Sequence, residues 1–262
     1  SSILYINVSD ISYLSLLVIL FGIIKRYKVV VHSHNAMLEP ISSKLHRFTH
    51  CIIEFAAACV CKSTKIESLA VSDKAGKYLY KNGNYTIVHA GIDTQLFRFD
   101  EKTRGRIRTV FNIQKETIVY GFVGRLAKVK NPAFVIDIFN RIIKDRKNVK
   151  LMIVGDGPLR ASLEKYVSDN SIEEYVIFVG EVTNVSDYLN AIDILIAPSI
   201  SEGLGLALLE AQASGVFVMC SDGRIPKDVK VTPLLEFLPL EKGCVYWAEK
   251  CVKKEAEVAS NK

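Results

Sequence analysis

Unbroken apolar runs of strand length alternate along this chain with longer stretches whose apolar residues recur at helical spacing. Leu4–Val8, Lys28–His32, Leu69–Ser72, Thr86–His89, Thr117–Val123, Val149–Val154, Val176–Val179, Ile194–Ala197 and Phe217–Cys220 read as strands. Ser12–Lys25, Ser43–Cys61, Lys74–Asn82, Ala133–Arg146, Pro158–Asn170, Val185–Asn190, Leu206–Ser214 and Trp247–Ala256 read as helices. The strand segments are continuously apolar rather than alternating, the mark of parallel strands buried on both faces. Strand–helix alternation of this kind predicts an α/β protein with helices on both sides of parallel sheets.

The pattern breaks once. Between Asp93 and Thr117 the chain is polar, basic and poor in strand signals, which sets a domain boundary near residue 95 and predicts domains over 1–95 and 96–262. The second carries a full set of βα units. The first has about four strands, and no glycine-rich turn after a first strand precedes them. The expectation is a first domain that is incomplete at its N-terminal side.

Composition adds little to this, but charge does. Hydrophobic residues make up 49% and charged residues 24% of the 262, an ordinary globular balance that excludes disordered, collagen-like and coiled-coil classes. Residues 1–99 hold 11 of the 34 Lys/Arg but 6 of the 28 Asp/Glu, so most of the formal net charge of +6 sits there. A basic first half suits anionic lipid or phosphate, and equally a solvated basic face. Without a Lys/Arg cluster interleaved with aromatics, nucleic acid is not expected as a partner. The apolar segment Ile11–Ile24 falls short of the ~20 residues needed to cross a bilayer. It reads first as a helix buried on a sheet, and second as a peripheral membrane contact. No cleavable signal is visible, and the six cysteines lack disulfide-framework spacing, so a cytoplasmic, reducing setting is expected.

The segment richest in chemistry is SISEGLGLALLEAQASG at 199–215. Glu202 stands in a glycine-containing loop after the strand ending at Ala197, and Glu210 follows about two turns into a helix. Gly203, Leu204 and Gly205 form a turn whose backbone amides can approach a ligand, and the helix N-terminus behind it favours an anion. The competing account is a glycine-rich turn and a helix with one polar residue. In GFVGRLAKVKNP (121–132), Arg125 and Lys130 follow a buried strand and can clamp a diphosphate, or simply be two solvated cations beside a turn. A nicotinamide dinucleotide site fails, because G-x-G-x-x-G is not there. VGDGP (154–158) reads as architecture, with Pro158 opening a helix. FVGEVTNVSDYL (178–189) can offer main-chain groups near Val182. His32 and His34, two apart on a strand, share a face; a zinc site is not expected, since no Cys or carboxylate neighbours them at ligand spacing. The absence of an Asp-x-Asp pair speaks against a divalent metal on a diphosphate.

Taken in order, HAGIDTQLF, GRLAKVKNP, VGDGP, APS and the Glu202-x7-Glu210 segment resemble the retaining glycosyltransferases of family 4. The resemblance covers nearly the whole chain and implies the GT-B fold, two Rossmann-like domains with parallel sheets, the N-terminal one incomplete here. HSHN at 32–35 with SDGRIPKDVKVTPLLEFLPL at 221–240 resembles the branch that serves bacterial exopolysaccharide and capsule assembly. What the resemblance implies is a hexosyl transfer with retention from a nucleotide-sugar donor, uridine diphosphate being the family's habit, to a lipid-linked or polysaccharide acceptor. It implies no metal and no cofactor. Arg125 and Lys130 would hold the diphosphate, Glu210 the ribose, Glu202 the transferred sugar, Gly203–Gly205 sugar and phosphate through the backbone, and Val182 the base through its main chain. His34 would face the sugar or acceptor from the other domain. A nucleotide-sugar-binding partner subunit without activity is the alternative, because the family's first strand and glycine-rich loop are not in this chain.

Overall fold

Short apolar runs, one of them the valine run at 29–31, build the first sheet. The computed structural model describes residues 2–8, 13–34, 66–81 and 83–260. Strands β1 (Ile3–Val8), β2 (Lys28–Ser33), β3 (Ile66–Ala70) and β4 (Thr86–Ile87) lie in the order β1-β2-β3-β4, all parallel. Helix α1 (Tyr13–Ile24) returns the chain from β1 to β2. It sits close enough that a Cβ on Gly22 would stand 2.6 Å from Leu4 Cδ2 and 2.8 Å from Val29 Cγ2. Helix α2 (Asp73–Tyr80) starts at Ser72, whose hydroxyl caps the Ala75 amide at 3.2 Å. Tyr80, fully buried, donates from its hydroxyl to the Val31 carbonyl at 2.6 Å, which pins α2 to the sheet.

In the second half, the strands are β5 (Ile118–Val123), β6 (Val149–Val154), β7 (Val176–Gly180), β8 (Ile194–Ala197), β9 (Phe217–Ser221) and β10 (Leu235–Leu238). They form one parallel sheet in the order β10-β9-β8-β5-β6-β7. Successive residues of β5 feed opposite faces. Tyr120 and Phe122 join one buried cluster with α4 (Pro132–Asp145), α5 (Arg160–Asp169) and α8 (Gly243–Ser260). Val119 joins the other, with Ile107 of α3 (Glu101–Val110), Leu189 of α6 (Val185–Ala191) and Leu208 of α7 (Leu206–Ala213). Two apolar faces per strand explain the unbroken apolar runs in the sequence.

The amino ends of these strands are tied by charge. Asp193, 1% exposed, accepts from Arg104 Nη2 at 2.8 Å, Arg108 Nη2 at 2.7 Å and the Val119 amide at 2.7 Å. Arg108 also donates to the carbonyls of Ala191 and Thr117. The triad locks α3 onto the starts of β5 and β8.

By packing, the chain divides into one unit of Ser1–Gly91, Ser201–Gly205 and Pro226–Asp228 and another of Ile92–Ile200, Leu206–Ile225 and Val229–Lys262. Several expectations need correction. The polar stretch from Asp93 to Thr117 contains helix α3, because two buried arginines, Arg104 and Arg108, take places where an apolar stripe was sought. Strand β10 went unread, since Glu236 interrupts its apolar run. Strand β3 lies earlier than Leu69–Ser72, and β4 spans two residues where four were expected. The helix expected at Ser43–Cys61 lies outside the described residues.

Candidate functional site

The sheet order of the second unit creates the site. From β5 the chain builds one way through β6 and β7 and the other way through β8, β9 and β10. The loops leaving β5 and β8 therefore diverge beyond the carboxyl ends of these two neighbours, the place where open α/β sheets bind ligands. The loop after β5 carries Arg125, exposed, and Lys130, half-buried at the end of the short turn Lys128–Lys130. Asn131 takes a left-handed conformation (φ 56°) that turns the chain into Pro132, the first residue of α4.

Hydrogen bonds fix this loop from both sides. The Ile200 amide donates to the Val129 carbonyl at 2.7 Å, joining the loop after β8 to the loop after β5. The Leu126 amide donates to the Asp156 carbonyl at 2.9 Å, and the Leu159 amide returns to the Leu126 carbonyl at 3.0 Å. Leu126 and Ala127 are buried beneath. Gly155 has φ +132°, and a Cβ there would stand 2.1 Å from the Gly124 carbonyl oxygen. Only glycine lets the β6 loop lie this close against the β5 loop. VGDGP is architecture, as its sequence suggests.

Glu210 lies in the second turn of α7 and is half-buried; burial pushes its carboxyl above the ordinary value of 4.5. Gln212, two residues on and 3% exposed, anchors the same helix. Its Nε2 donates to the carbonyls of Leu208 and Val229, and its Oε1 accepts from the Thr232 hydroxyl at 3.0 Å. The sequence reading passed over Gln212, although an amide inside an otherwise apolar helix is a signal of a buried polar tie. Glu202, Gly203, Leu204 and Gly205 lie on the stretch joining β8 to α7, which groups by packing with the first unit. Glu202 is half-buried, Gly203 and Leu204 are buried, and Gly205 adopts φ +91°. Val182 lies two residues beyond β7, two strands from β5, with its side chain packed against the core.

His34 belongs to the first unit, immediately after β2. Its Nε2 is 2.8 Å from Asn7 Oδ1, and its ring centre is 4.3 Å from that of His32. The Tyr5 hydroxyl is 2.6 Å from His32 Nδ1. Burial lowers both imidazoles below the ordinary value of 6.5, and His34 alongside lowers His32 further. Tyr5 and Asn7 escaped the sequence reading; their period-two spacing on β1, in parallel register with β2, is the signal that places them beside the histidines.

Comparison with known proteins agrees with this geometry. Residues 103–231 match the family described as Glycosyl transferases group 1. EpsF of Bacillus subtilis (strain 168), which carries a glycosyltransferase name, is 26% identical over 232 residues, covering 87% of this chain and 59% of EpsF. The UDP-Gal:alpha-D-GlcNAc-diphosphoundecaprenol alpha-1,3-galactosyltransferase of Escherichia coli is 28% identical over 195 residues, 71% of this chain and 50% of that enzyme. The lipopolysaccharide core biosynthesis mannosyltransferase LpsB of Rhizobium meliloti (strain 1021) is 32% identical over 161 residues, 59% of this chain and 44% of LpsB. The chain thus spans about half the length of the curated relatives it matches. Among solved structures, Anabaena Alr3699/HepE in complex with UDP aligns with TM-score 0.77 at 18% identity, over 99% of this chain and 72% of that one. WaaG, a glycosyltransferase involved in lipopolysaccharide biosynthesis, aligns with TM-score 0.72 at 18% identity, over 87% and 69%.

Two parallel sheets of this kind are the fold of the GT-B glycosyltransferases.

Proposed function

We propose that the protein to which this chain belongs transfers a sugar, with retention, from a nucleoside-diphosphate sugar to a lipid-linked or polysaccharide acceptor. The donor nucleotide is uridine diphosphate, the reaction needs no metal, and the setting is bacterial exopolysaccharide or capsule assembly at the cytoplasmic face of the membrane. One observation carries this reading: Arg125 and Lys130 leave β5 at the sheet's switch point, beside the strand that leads to the Glu210 helix. Support comes also from the relative named for a UDP-Gal donor and a diphosphoundecaprenol acceptor, and from the fold neighbour bound to UDP-glucose.

The chemistry follows from charge. As the bond from the anomeric carbon to the phosphate oxygen breaks, positive charge grows on the sugar and negative charge on the leaving diphosphate. Arg125, bidentate, and Lys130, as a point charge, stabilise the latter where a metal would otherwise stand. Glu210 accepts hydrogen bonds from the ribose hydroxyls, and Glu202 orients the sugar. The acceptor oxygen bonds to the anomeric carbon on the face the phosphate leaves, passing its proton to the departing phosphate oxygen. Retention then needs no protein nucleophile. Val182 meets the base through its main chain, the Gly203–Gly205 backbone holds sugar and phosphate, and His34 serves the sugar or acceptor.

Calorimetric titration with UDP, UDP-glucose and GDP-mannose in metal-free buffer tests the donor half. Saturable binding of uridine ligands is expected, lost in Arg125→Ala and weakened at least tenfold in Glu210→Ala. Equal binding of every nucleotide by both variants overturns the assignment.

A further inference from the structure

A cavity of about 600 Å³ opens at the amino ends of β5 and β8, wholly within the second unit and the length of β5 away from the loop bearing Arg125. Its walls come from α3, the turn that follows it, the first residue of β5 and, through Val258, the last part of α8. Two guanidiniums here share one buried carboxylate, since Arg104 and Arg108 both pair with Asp193. Arg108 spends its donors on Asp193 and on the carbonyls of Ala191, Gln114, Lys115 and Thr117. Arg104 does not. Its Nη1 reaches the carbonyls of Asn190 and Ala191 and its Nη2 reaches Asp193, but nothing among the described residues accepts from its Nε–H. Arg104 is 9% exposed, so this donor is held still in surroundings where an unsatisfied polar group is costly. Lys115, exposed on the same cavity, makes no ion pair among the described residues.

The remaining walls narrow the ligand. Ile113, Ile118 and Val258 offer apolar surface. Gly105 stands inside α3, where glycine is disfavoured, yet a Cβ there would meet nothing within 4 Å. Its bare backbone leaves room in the cavity beside Arg104. Glu101 and Glu116, both exposed, can accept from hydroxyls and repel a polyphosphate. Among the described residues no aromatic ring lines the cavity, which leaves a nucleobase without a stacking partner.

We propose that this cavity is a second ligand site and takes a small hydroxylated anion, a sugar bearing a single carboxylate or phosphate group. The anion accepts from Arg104 Nε and is drawn by Lys115, a charge-assisted contact on a preorganised guanidinium. Sugar hydroxyls meet the two glutamates, and the C–H face of the ring covers the apolar wall. The site stands at the opposite end of the sheet from Arg125 and Lys130 and does not depend on the function proposed above.

Calorimetric titration with glucuronate, glucose-6-phosphate, glucose, inorganic phosphate and acetate tests this, each with and without UDP. Saturable binding of glucuronate or glucose-6-phosphate is expected, at least about tenfold tighter than glucose or either bare anion, and unchanged by UDP. Whichever of the two binds tighter identifies the anionic group. Gly105→Leu puts a side chain into the cavity from a position whose Cβ meets no protein atom, and Lys115→Glu reverses the charge that draws the anion. Each variant, checked for a retained thermal midpoint, should lower the affinity at least about tenfold. Absence of binding, equal binding of glucose or of the bare anions, or binding unaltered in both folded variants overturns the proposal. So does competition with UDP, which would put the sugar in the donor site. The donor assignment stands or falls separately, on UDP titration of Arg125→Ala.

Discussion

The Ile200 amide donates to the Val129 carbonyl at 2.7 Å, so a single backbone hydrogen bond joins the two loops that diverge at the switch point. It holds the loop bearing Arg125 and Lys130 against the loop that follows β8. Replacing Ile200 by Pro removes the donor. The expected cost in stability is on the order of 1 kcal/mol, accompanied by a loss of UDP affinity that exceeds the stability effect. Calorimetry beside denaturant unfolding checks this. An unchanged dissociation constant in a folded variant would show that the loops keep their places without the bond.

At the opposite end of the sheet, Asp193 serves two arginines and one amide. Asp193→Ala leaves Arg108, 5% exposed, with its charge uncompensated. Breaking a buried pair in this way costs about 3–5 kcal/mol. Urea unfolding followed by circular dichroism is expected to show that loss with an unchanged slope. Because the triad stands at the amino ends of the strands, the fraction that remains folded should bind UDP normally.

Gly155→Ala should cost more than Gly223→Ala. Both glycines have positive φ, but a Cβ at 155 would lie 2.1 Å from the Gly124 oxygen while one at 223 meets nothing within 4 Å. Conformational strain at the ordinary left-handed φ of Gly223 (+66°) is worth roughly 1 kcal/mol, so the difference between the two thermal midpoints reports the loop-to-loop clash together with the greater strain at the φ of +132° of Gly155. Equal midpoints would mean that the β6 loop simply moves aside.

Donor affinity should depend on pH through Glu210. Burial raises its carboxyl above 4.5, so the group ionises later than an exposed glutamate as pH climbs. Ribose hydroxyls donate to the ionised form, so binding is expected to strengthen with pH through that raised value and level off above it. Glu210→Gln should bind more weakly at neutral pH and lose this portion of the profile. A glutamine variant with the same pH dependence as the parent would remove the carboxylate from the ribose.

Much of the sheet was legible because β5, β6, β8 and β9 of the second unit are buried on both faces and write themselves as apolar runs. Helix α3 was not, because a stripe made of Arg104, Ile107 and Arg108 looks polar until Asp193 is placed opposite it. Arg125, Lys130 and Glu210 stood out as charges just after buried strands or inside an apolar helix. That the strand leading to the Glu210 helix lies beside β5 needed the strand order, since nothing local in the sequence says that β8 rather than β6 or β7 lies on the far side of β5. Tyr5 beside His32 likewise needed the register of β1 on β2.

The pairing of β5 with β8 (Tyr120 with Ile194) closes only after β6 and β7 have been threaded between them in sequence. Contacts so distant along the chain are entropically expensive and tend to form late on the folding route. The loops after β5 and β8 leave the sheet at that junction, so their arrangement is complete only near the end of folding. A nucleotide that binds there should therefore slow unfolding and leave the rate of folding almost unchanged.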